Sequence, residues 1–198
     1  MKSQLAESIL LPQILEKKRL KIVEYPNPIL KQKALEIIEF NPELESFCHE
    51  MLATMYSAPG VGLAAPQVGV SKRIIVLDVS FKRQLVTLPN GETTKEFHSL
   101  DPHIFINPKI VHKEGSFCYE EGCLSLPGIY EEVERAHRIT VDYQDVKGEK
   151  RQMVAEDLLA VCIQHEIDHL EGIVFIERLS KLKLKYYRDK MIKSKKKQ

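Results

Sequence analysis

The spacing of apolar residues along the chain predicts two amphipathic helices. In NPELESFCHEMLATMY, apolar side chains recur every three or four positions, at Leu44, Phe47, Cys48, Met51, Leu52 and Met55. This period is typical of a helix that buries one face, and Asn41 and Pro42 suit its N-cap and first position. The segment DLLAVCIQHEIDHLE, residues 157–171, has the same period and stops before Gly172.

Shorter runs rich in β-branched and aromatic residues predict strands. They are LKIVEYP, RIIVLDVS, IFINP, KIVHKEG, YEEVERA, RITVDYQD and EKRQMVAE. Asn90–Gly91 predicts a hairpin turn within QLVTLPNGETTKEFHSL, whereas the small residues of SAPGVGLAAPQVGVSK favour a loop. We therefore predict an α+β fold, with antiparallel or mixed β-sheets packed around a central helix at 157–171, an N-terminal helix and a C-terminal helix.

Length and composition fit one ordinary globular domain. The chain has 198 residues, 43% hydrophobic and 29% charged, and no apolar run is long enough to cross a bilayer. Pro12 interrupts the N-terminal apolar run, and no cleavage site of the signal-peptide type follows it. The four cysteines include no CxxC pair, which favours a reducing compartment. These features predict a cytoplasmic protein that does not enter a membrane.

Charge is distributed unevenly along the chain. Residues 178–198 hold ten Lys or Arg against one Asp, a net charge of +9, which leaves −8 on residues 1–177. A basic helix of this kind can contact a polyanion such as ribosomal RNA. Alternatively, Leu182, Tyr186 and Met191 form an apolar stripe that packs the tail on the body, with the lysines solvated.

The segment QHEIDHLEGIVF has the spacing of a helical metal site. His165 and His169 are four residues apart and share a helix face, with Glu166 beside the first. A catalytic divalent metal usually has three protein ligands, so a third is expected elsewhere. Phe175 occupies the position of the third histidine in HExxHxxGxxH, which excludes that class of zinc peptidase. Glu171 and Glu177 follow the helix too closely to fold back onto its metal site.

The third ligand is therefore expected upstream of the helix. The candidates are the four cysteines, Cys48, Cys118, Cys123 and Cys162, and the remaining histidines. Cys123 stands out because EEGCLSLPG is a short, turn-rich segment between predicted strands. The other three cysteines are predicted to be core residues.

Three stretches together resemble the signature motifs of the peptide deformylases. They are GVGLAAPQVGV (60–70), EGCLSLP (121–127) and QHEIDHLEG (164–172), and the similarity covers roughly residues 20–180. It implies a single domain over 1–180, with an N-terminal extension at 1–19, an inserted hairpin at about 81–103 and a basic C-terminal helix or tail at 181–198. No DNA partner is implied.

The resemblance also implies a site and a reaction. The metal ligands would be Cys123, His165 and His169, binding Fe²⁺, for which Zn²⁺, Ni²⁺ or Co²⁺ can substitute. Glu166 would be the general base, and the Gln67 side-chain amide and the Leu124 backbone N–H would bind the oxyanion. The substrates would be N-formylmethionyl nascent peptides. The residues expected to contact them are Gly60, Val61, Gly62, Leu63, Glu121, Leu158 and Cys162.

Three questions stay open at this point. The chain could instead be an HExxH metallopeptidase that cuts internal peptide bonds, or a catalytically inactive, ribosome-associated relative. Glu121 could pair with Arg135 and brace the loop around Cys123, or both side chains could be solvated.

Overall fold

The computed structural model describes residue 14 and residues 16–87, 91 and 93–195. Its strands are β1 Gly62–Ala64, β2 Ile74–Leu77, β3 Lys82–Thr87, β4 Thr93–His98, β5 His103–Glu114, β6 Phe117–Gly122, β7 Tyr130–Arg135, β8 Arg138–Gln144 and β9 Lys150–Glu156. Its helices are α1 Pro42–Ser57, α2 Asp157–Leu170 and α3 Lys181–Lys195. Short 3-10 helices lie at Pro28–Lys31, Ala65–Val68 and Phe175–Arg178. The predicted α+β class is confirmed.

The strands form three antiparallel sheets. The largest has five strands in the order β1-β2-β5-β8-β9, and two hairpins, β3-β4 and β6-β7, form sheets of their own. Strand β1 is therefore an edge strand, and β6 has one edge without a strand partner within the described part of the chain. Both edges matter for the site described below.

Strand β2 lies between two helices, which explains its unbroken hydrophobic sequence. Ile74 and Val76 belong to a core cluster with α1, whereas Ile75 and Leu77 face the opposite side and pack in a second cluster with α2. All four side chains are buried. Because successive side chains of a strand alternate between faces, a strand covered on both faces must be apolar at every position.

The ends of α1 and α2 follow from their sequences. The Asn41 side chain caps α1 by accepting a hydrogen bond from the Leu44 amide at 2.9 Å, as predicted. After α2, Gly172 has a φ of +71°, and a Cβ there would lie 2.7 Å from the Lys31 carbonyl oxygen. A glycine at this point lets the chain turn sharply against the N-terminal segment.

Three predictions of local structure are wrong. LKIVEYP is not a strand; the amide of Val23 donates to the carbonyl of Gln67 in the 3-10 helix Ala65–Val68, and that of Tyr25 donates to the carbonyl of Ser125 in the turn after β6. IFINP and KIVHKEG form one strand, β5, with bulges on either side of Lys109 to Ile110. The predicted loop 57–72 contains β1 and a 3-10 helix, and β6 was not foreseen.

Two predictions fall partly on residues outside the description. The N-terminal helix was predicted within a segment of which residues 1–13 are not described. The hairpin turn at Asn90 is likewise outside the described residues, but its strands β3 and β4 pair antiparallel, with Thr87 opposite Thr93. Among the described helices, none has the length and apolar character needed to cross a membrane.

The C-terminal helix α3 packs on the body, but of the predicted stripe only Met191 takes part. Leu182 and Tyr186 are 80% and 60% exposed, whereas Met191 is 6% exposed and lies in a core cluster that Leu184 and Tyr187 also contact. The Tyr187 hydroxyl donates to Glu131 Oε1 at 2.6 Å, and Lys183 Nζ donates to Glu131 Oε2 at 2.7 Å. The packed face is therefore Leu184, Tyr187 and Met191, offset from the predicted one.

This register predicts unequal effects of truncating the two faces of α3. Met191→Ala should lower the free energy of unfolding by about 2–3 kcal/mol, because it empties a buried site, whereas Leu182→Ala should change it by less than about 0.5 kcal/mol. Urea denaturation at neutral pH measures both. Equal effects of the two substitutions would contradict the observed register.

Candidate active site

Cys123, His165 and His169 come together at one point in the fold. Their ligand atoms all lie within 4.8 Å of one another, and Cys123 Sγ is 3.2 Å from His169 Nε2. No other group of this kind is found in the part of the chain that the structure describes. Both histidines project from the last two turns of α2, and Cys123 directly follows β6.

The orientation of His165 is fixed by a carboxylate. His165 Nδ1 lies 2.8 Å from Glu121 Oε2, and since a carboxylate only accepts hydrogen bonds, Nδ1 carries the proton. This leaves the Nε2 lone pair for a metal. The ring of Phe175 stacks on His165 at 5.9 Å between centroids. Phe175, which occupies the position of the third histidine in HExxHxxGxxH, is therefore not a ligand here but packs against one.

Glu121 belongs to a buried ion-pair chain. Arg135 Nε donates to Glu121 Oε1 at 2.7 Å and Arg135 Nη2 donates to Oε2 at 3.0 Å, so the pairing left open by the sequence does form. Burial opposes ionisation of Glu121, but the hydrogen bonds from His165 and Arg135 outweigh it and hold the pKa of Glu121 below its usual value. The chain then continues through Asp168 to Arg178.

Glu166 lies in the site with a buried carboxylate oxygen that has no hydrogen-bond partner among the described residues. That oxygen is Oε2, and the side chain as a whole is buried. Burial raises the pKa of Glu166 to about 7. A carboxylate with a pKa near neutrality can both take and return a proton at physiological pH. His169 Nδ1 is also buried without a partner in the described chain.

Gln67 points its amide group at the same centre. The 3-10 helix at Ala65–Val68 places its side chain so that Oε1 accepts from the Ala64 amide at 2.7 Å. This leaves Nε2 directed at Cys123 Sγ, 3.4 Å away. The orientation of the amide is thus set by the backbone, with the donor end turned toward the cluster.

A cleft of about 790 Å³ opens onto these residues. Its walls include six of the seven predicted substrate residues, Gly60, Val61, Gly62, Glu121, Leu158 and Cys162, together with Gln67, Leu124, Cys123, His165 and Glu166. The seventh, Leu63, does not line the cleft, because its side chain is fully buried in the core cluster against α1. Glu121 reaches the cleft wall, but its carboxylate is held by His165 and Arg135 and is not free for a substrate.

The remaining cysteines do not compete as ligands. Burial raises the pKa of Cys48 and of Cys162 to about 12, which keeps both as thiols. Cys118 was predicted to be a core residue, and this is wrong: it is exposed on β6. Within the motif segment, only the Cys123 thiol faces the two histidines.

Comparison with known proteins decides between the possible activities. The family model for polypeptide deformylase matches residues 19–185. The chain belongs to the polypeptide deformylase family. This family removes N-formyl groups from nascent peptides, so the predicted hydrolase activity is confirmed over an endopeptidase and over an inactive relative. Proteins of this family are metalloenzymes, in keeping with the Cys123–His165–His169 cluster.

Individual deformylases are similar over most of their length. The peptide deformylase of Stenotrophomonas maltophilia (strain K279a) is 47% identical over 180 residues, covering 89% of this chain and 96% of that protein. The Acidobacterium capsulatum enzyme is 48% identical over 162 residues, covering 82% and 87% of the two chains. The crystal structure of a Legionella pneumophila peptide deformylase has a TM-score of 0.76 at 38% identity, covering 90% of this chain and 96% of that one.

Several residues of the deformylase site were not foreseen. Asp168 and Arg178 extend the ion-pair chain behind His165, while Phe81, Arg83 and Tyr130 line the cleft. The sequence contained one signal for this ion pair. Asp168 lies within the HEIDH motif, and an acid buried at this position requires a cationic partner. The identity of that partner depends on the turn after α2, which residue spacing does not reveal.

Proposed function

We propose that the protein removes the formyl group from N-formylmethionyl peptides at the Cys123–His165–His169 centre. The observation that carries this proposal is the buried Glu166 carboxylate, beside the three ligands and without a partner for Oε2. A purely structural metal site would have no use for such a base, whereas amide hydrolysis needs a group that moves a proton.

The donor set fits a divalent metal with one open coordination position. One thiolate and two imidazoles make up three ligands, as catalytic sites of this kind usually have. Metal bonds of about 2.0–2.3 Å place tetrahedral ligand atoms roughly 3.3–3.6 Å apart. Here Cys123 Sγ and His169 Nε2 are 3.2 Å apart, and all three ligand atoms lie within 4.8 Å of one another. Such donors do not by themselves select one metal, and the proposal of Fe²⁺ rests on similarity to the family.

A bound metal would lower the pKa of a coordinated water toward about 7 and polarise the formyl carbonyl. Glu166 would accept the proton of the attacking water and return it to the leaving amine. The Gln67 amide and the Leu124 backbone N–H would donate hydrogen bonds to the oxyanion. Loss of one such donor typically costs about 10²–10³ in rate.

Two strand edges suit binding of an extended peptide. Val61, just before β1, Gly62 at the β1 edge and Gly122 at the β6 edge all line the cleft, and neither edge has a strand partner on that side among the described residues. A peptide between them could form main-chain hydrogen bonds with both. Leu158 and Cys162, one turn apart on α2, then provide an apolar wall for the methionine side chain.

The decisive experiment measures formate release from formyl-Met-Ala-Ser by protein purified without oxygen, with its metal content determined. We expect about one iron per chain and turnover of the formyl peptide, with no cleavage of acetyl-Met-Ala-Ser. No formate from fully metallated protein would refute the proposed activity. A full complement of zinc with no iron would refute only the proposed metal.

Gly62 provides a test of the position of Glu166. A Cβ at residue 62 would lie 2.5 Å from Glu166 Oε1, so the carboxylate must move to admit it. Gly62→Ala is expected to lower kcat for the formyl peptide about 10–100-fold with metal content unchanged. Val154→Ala, at an exposed position of β9 that does not line the cleft, is the control and should keep the wild-type rate. A wild-type rate in Gly62→Ala as well would contradict the proposed geometry.

The outward face of α3 supports a proposed contact with ribosomal RNA. Lys181, Lys185 and Arg188 are exposed, while Leu184, Tyr187 and Met191 anchor the helix to the body. Deleting the helix would remove this packing, so charge reversal is the better test. Lys181→Glu, Lys185→Glu and Arg188→Glu together should abolish co-sedimentation with ribosomes at low salt, while formate release is retained. Unchanged co-sedimentation would refute the contact.

A further inference from the structure

We propose that Arg178 is a positioning residue for the metal ligand His165, although the two residues lie in different helices. The inference rests on the metal site proposed above. It assigns a role to the 3-10 helix Phe175–Arg178, which follows α2 and contributes no metal ligand.

A continuous series of hydrogen bonds connects the two residues. His165 donates to Glu121, Arg135 donates to both Glu121 oxygens, and Arg135 Nη1 donates to Asp168 Oδ2 at 2.6 Å. Arg178 then binds both oxygens of Asp168, with Nε at 2.9 Å from Oδ2 and Nη2 at 2.5 Å from Oδ1. Every step is a charge-assisted hydrogen bond, and the signs of the four charges alternate.

Burial explains why the outermost link matters. The side chains of Glu121, Arg135 and Asp168 are 3%, 4% and 9% exposed, whereas Arg178 is 43% exposed. A buried charge is costly unless its hydrogen-bonding capacity is used. Arg178 supplies the fork that holds both Asp168 oxygens, and Asp168 in turn determines where Arg135 presents its guanidinium to Glu121.

The same short helix also touches His165 directly. Phe175 stacks on the imidazole with an interplanar angle of 29°, so the face of the ring is held by the first residue of this helix. The Nδ1 edge is held by the ion-pair chain that ends at the last residue, Arg178. Residues 175–178 therefore restrict two motions of one ligand, its tilt and its rotation about the ring axis.

Loss of such supporting contacts typically weakens metal binding 10–100-fold. Because Arg178 lies at the far end of the ion-pair chain from His165, we expect an effect on metal binding in the lower part of this range. Arg178→Ala should release metal about tenfold faster than wild type. Arg178→Lys keeps the charge but not the two-point contact, so its rate of metal release should lie between those of wild type and Arg178→Ala.

The test uses cobalt-loaded protein, since Co²⁺ reports its own coordination through its absorption spectrum. The rate at which excess chelator removes cobalt is measured for wild type, Arg178→Ala, Arg178→Lys and Arg138→Ala. Arg138 is the matched control: it is 49% exposed and pairs with Glu156 just before α2, at the helix end remote from the ligands. Urea denaturation of all four proteins separates local effects from loss of stability.

Faster release and an altered ligand-field spectrum in Arg178→Ala, with partial recovery in Arg178→Lys and neither change in Arg138→Ala, are the expected results. Release at the wild-type rate from Arg178→Ala would overturn the inference, as would equal acceleration by Arg138→Ala. If wild type showed no thiolate-to-cobalt absorption, the proposed metal site itself would be refuted and this inference with it.

Discussion

Replacing Glu166 by Ala is expected to reduce kcat for formyl-Met-Ala-Ser by about 10³, with metal content unchanged. The Glu166 side chain is buried at the cleft, and its Oε2 has no hydrogen-bond partner among the described residues, so it is available to exchange a proton with water in the site. Formate release under single-turnover conditions, with metal analysis of each sample, measures the effect on the chemical step.

Two variants control for the shape and charge of the site. Glu166→Gln keeps the side-chain volume beside Gly62 and should be nearly as impaired as Glu166→Ala. Glu171→Gln removes an acid at the end of the same helix, where it pairs with Arg73 and Lys33, and should keep the wild-type rate. A Glu166→Gln enzyme within about threefold of wild type would rule out the proton-transfer role.

Arg135→Met is expected to cost about 3–5 kcal/mol in the free energy of unfolding of the metal-loaded protein. The substitution fills a similar volume but leaves the buried carboxylates of Glu121 and Asp168 without their shared cation. Arg178 still neutralises Asp168, so the unpaired group of greatest consequence is Glu121, beside the metal ligand His165.

Urea denaturation monitored by circular dichroism measures this loss. Arg138→Met is the matched comparison, because that arginine pairs with Glu156 on the surface, and surface pairs contribute about 0–1 kcal/mol. If Arg135→Met lost no more stability than Arg138→Met, the buried ion-pair chain would not contribute to the fold as argued here.

Much of this arrangement could be predicted from the sequence because its signals are local. The period of apolar residues located α1 and α2, and the i, i+4 spacing of His165 and His169 placed two ligands on one helix face. Cys123 was selected by its position in a turn between strands and by the family motif, and the structure brings it to both histidines.

The features that were missed depend on contacts between distant segments. LKIVEYP has the composition of a strand, yet its amides donate to a 3-10 helix and to a turn, so no continuous ladder forms. Leu63 lies in a motif that lines the cleft, but strand alternation turns its side chain into the core. On α3, several apolar residues are available, and only the surface against which the helix packs determines that Leu184, Tyr187 and Met191 are the buried set.

The open edges of β1 and β6 have a consequence for when the enzyme can act. A peptide that pairs with both edges must present free backbone N–H and C=O groups along its two sides, and a segment inside a helix or paired on both sides in a sheet lacks them. If peptides bind in the proposed way, the cleft would discriminate by conformation as well as by the formyl group. Processing would be confined to the interval between the emergence of a new N-terminus and its incorporation into folded structure, and a protein whose first residues fold quickly would tend to keep its formyl group.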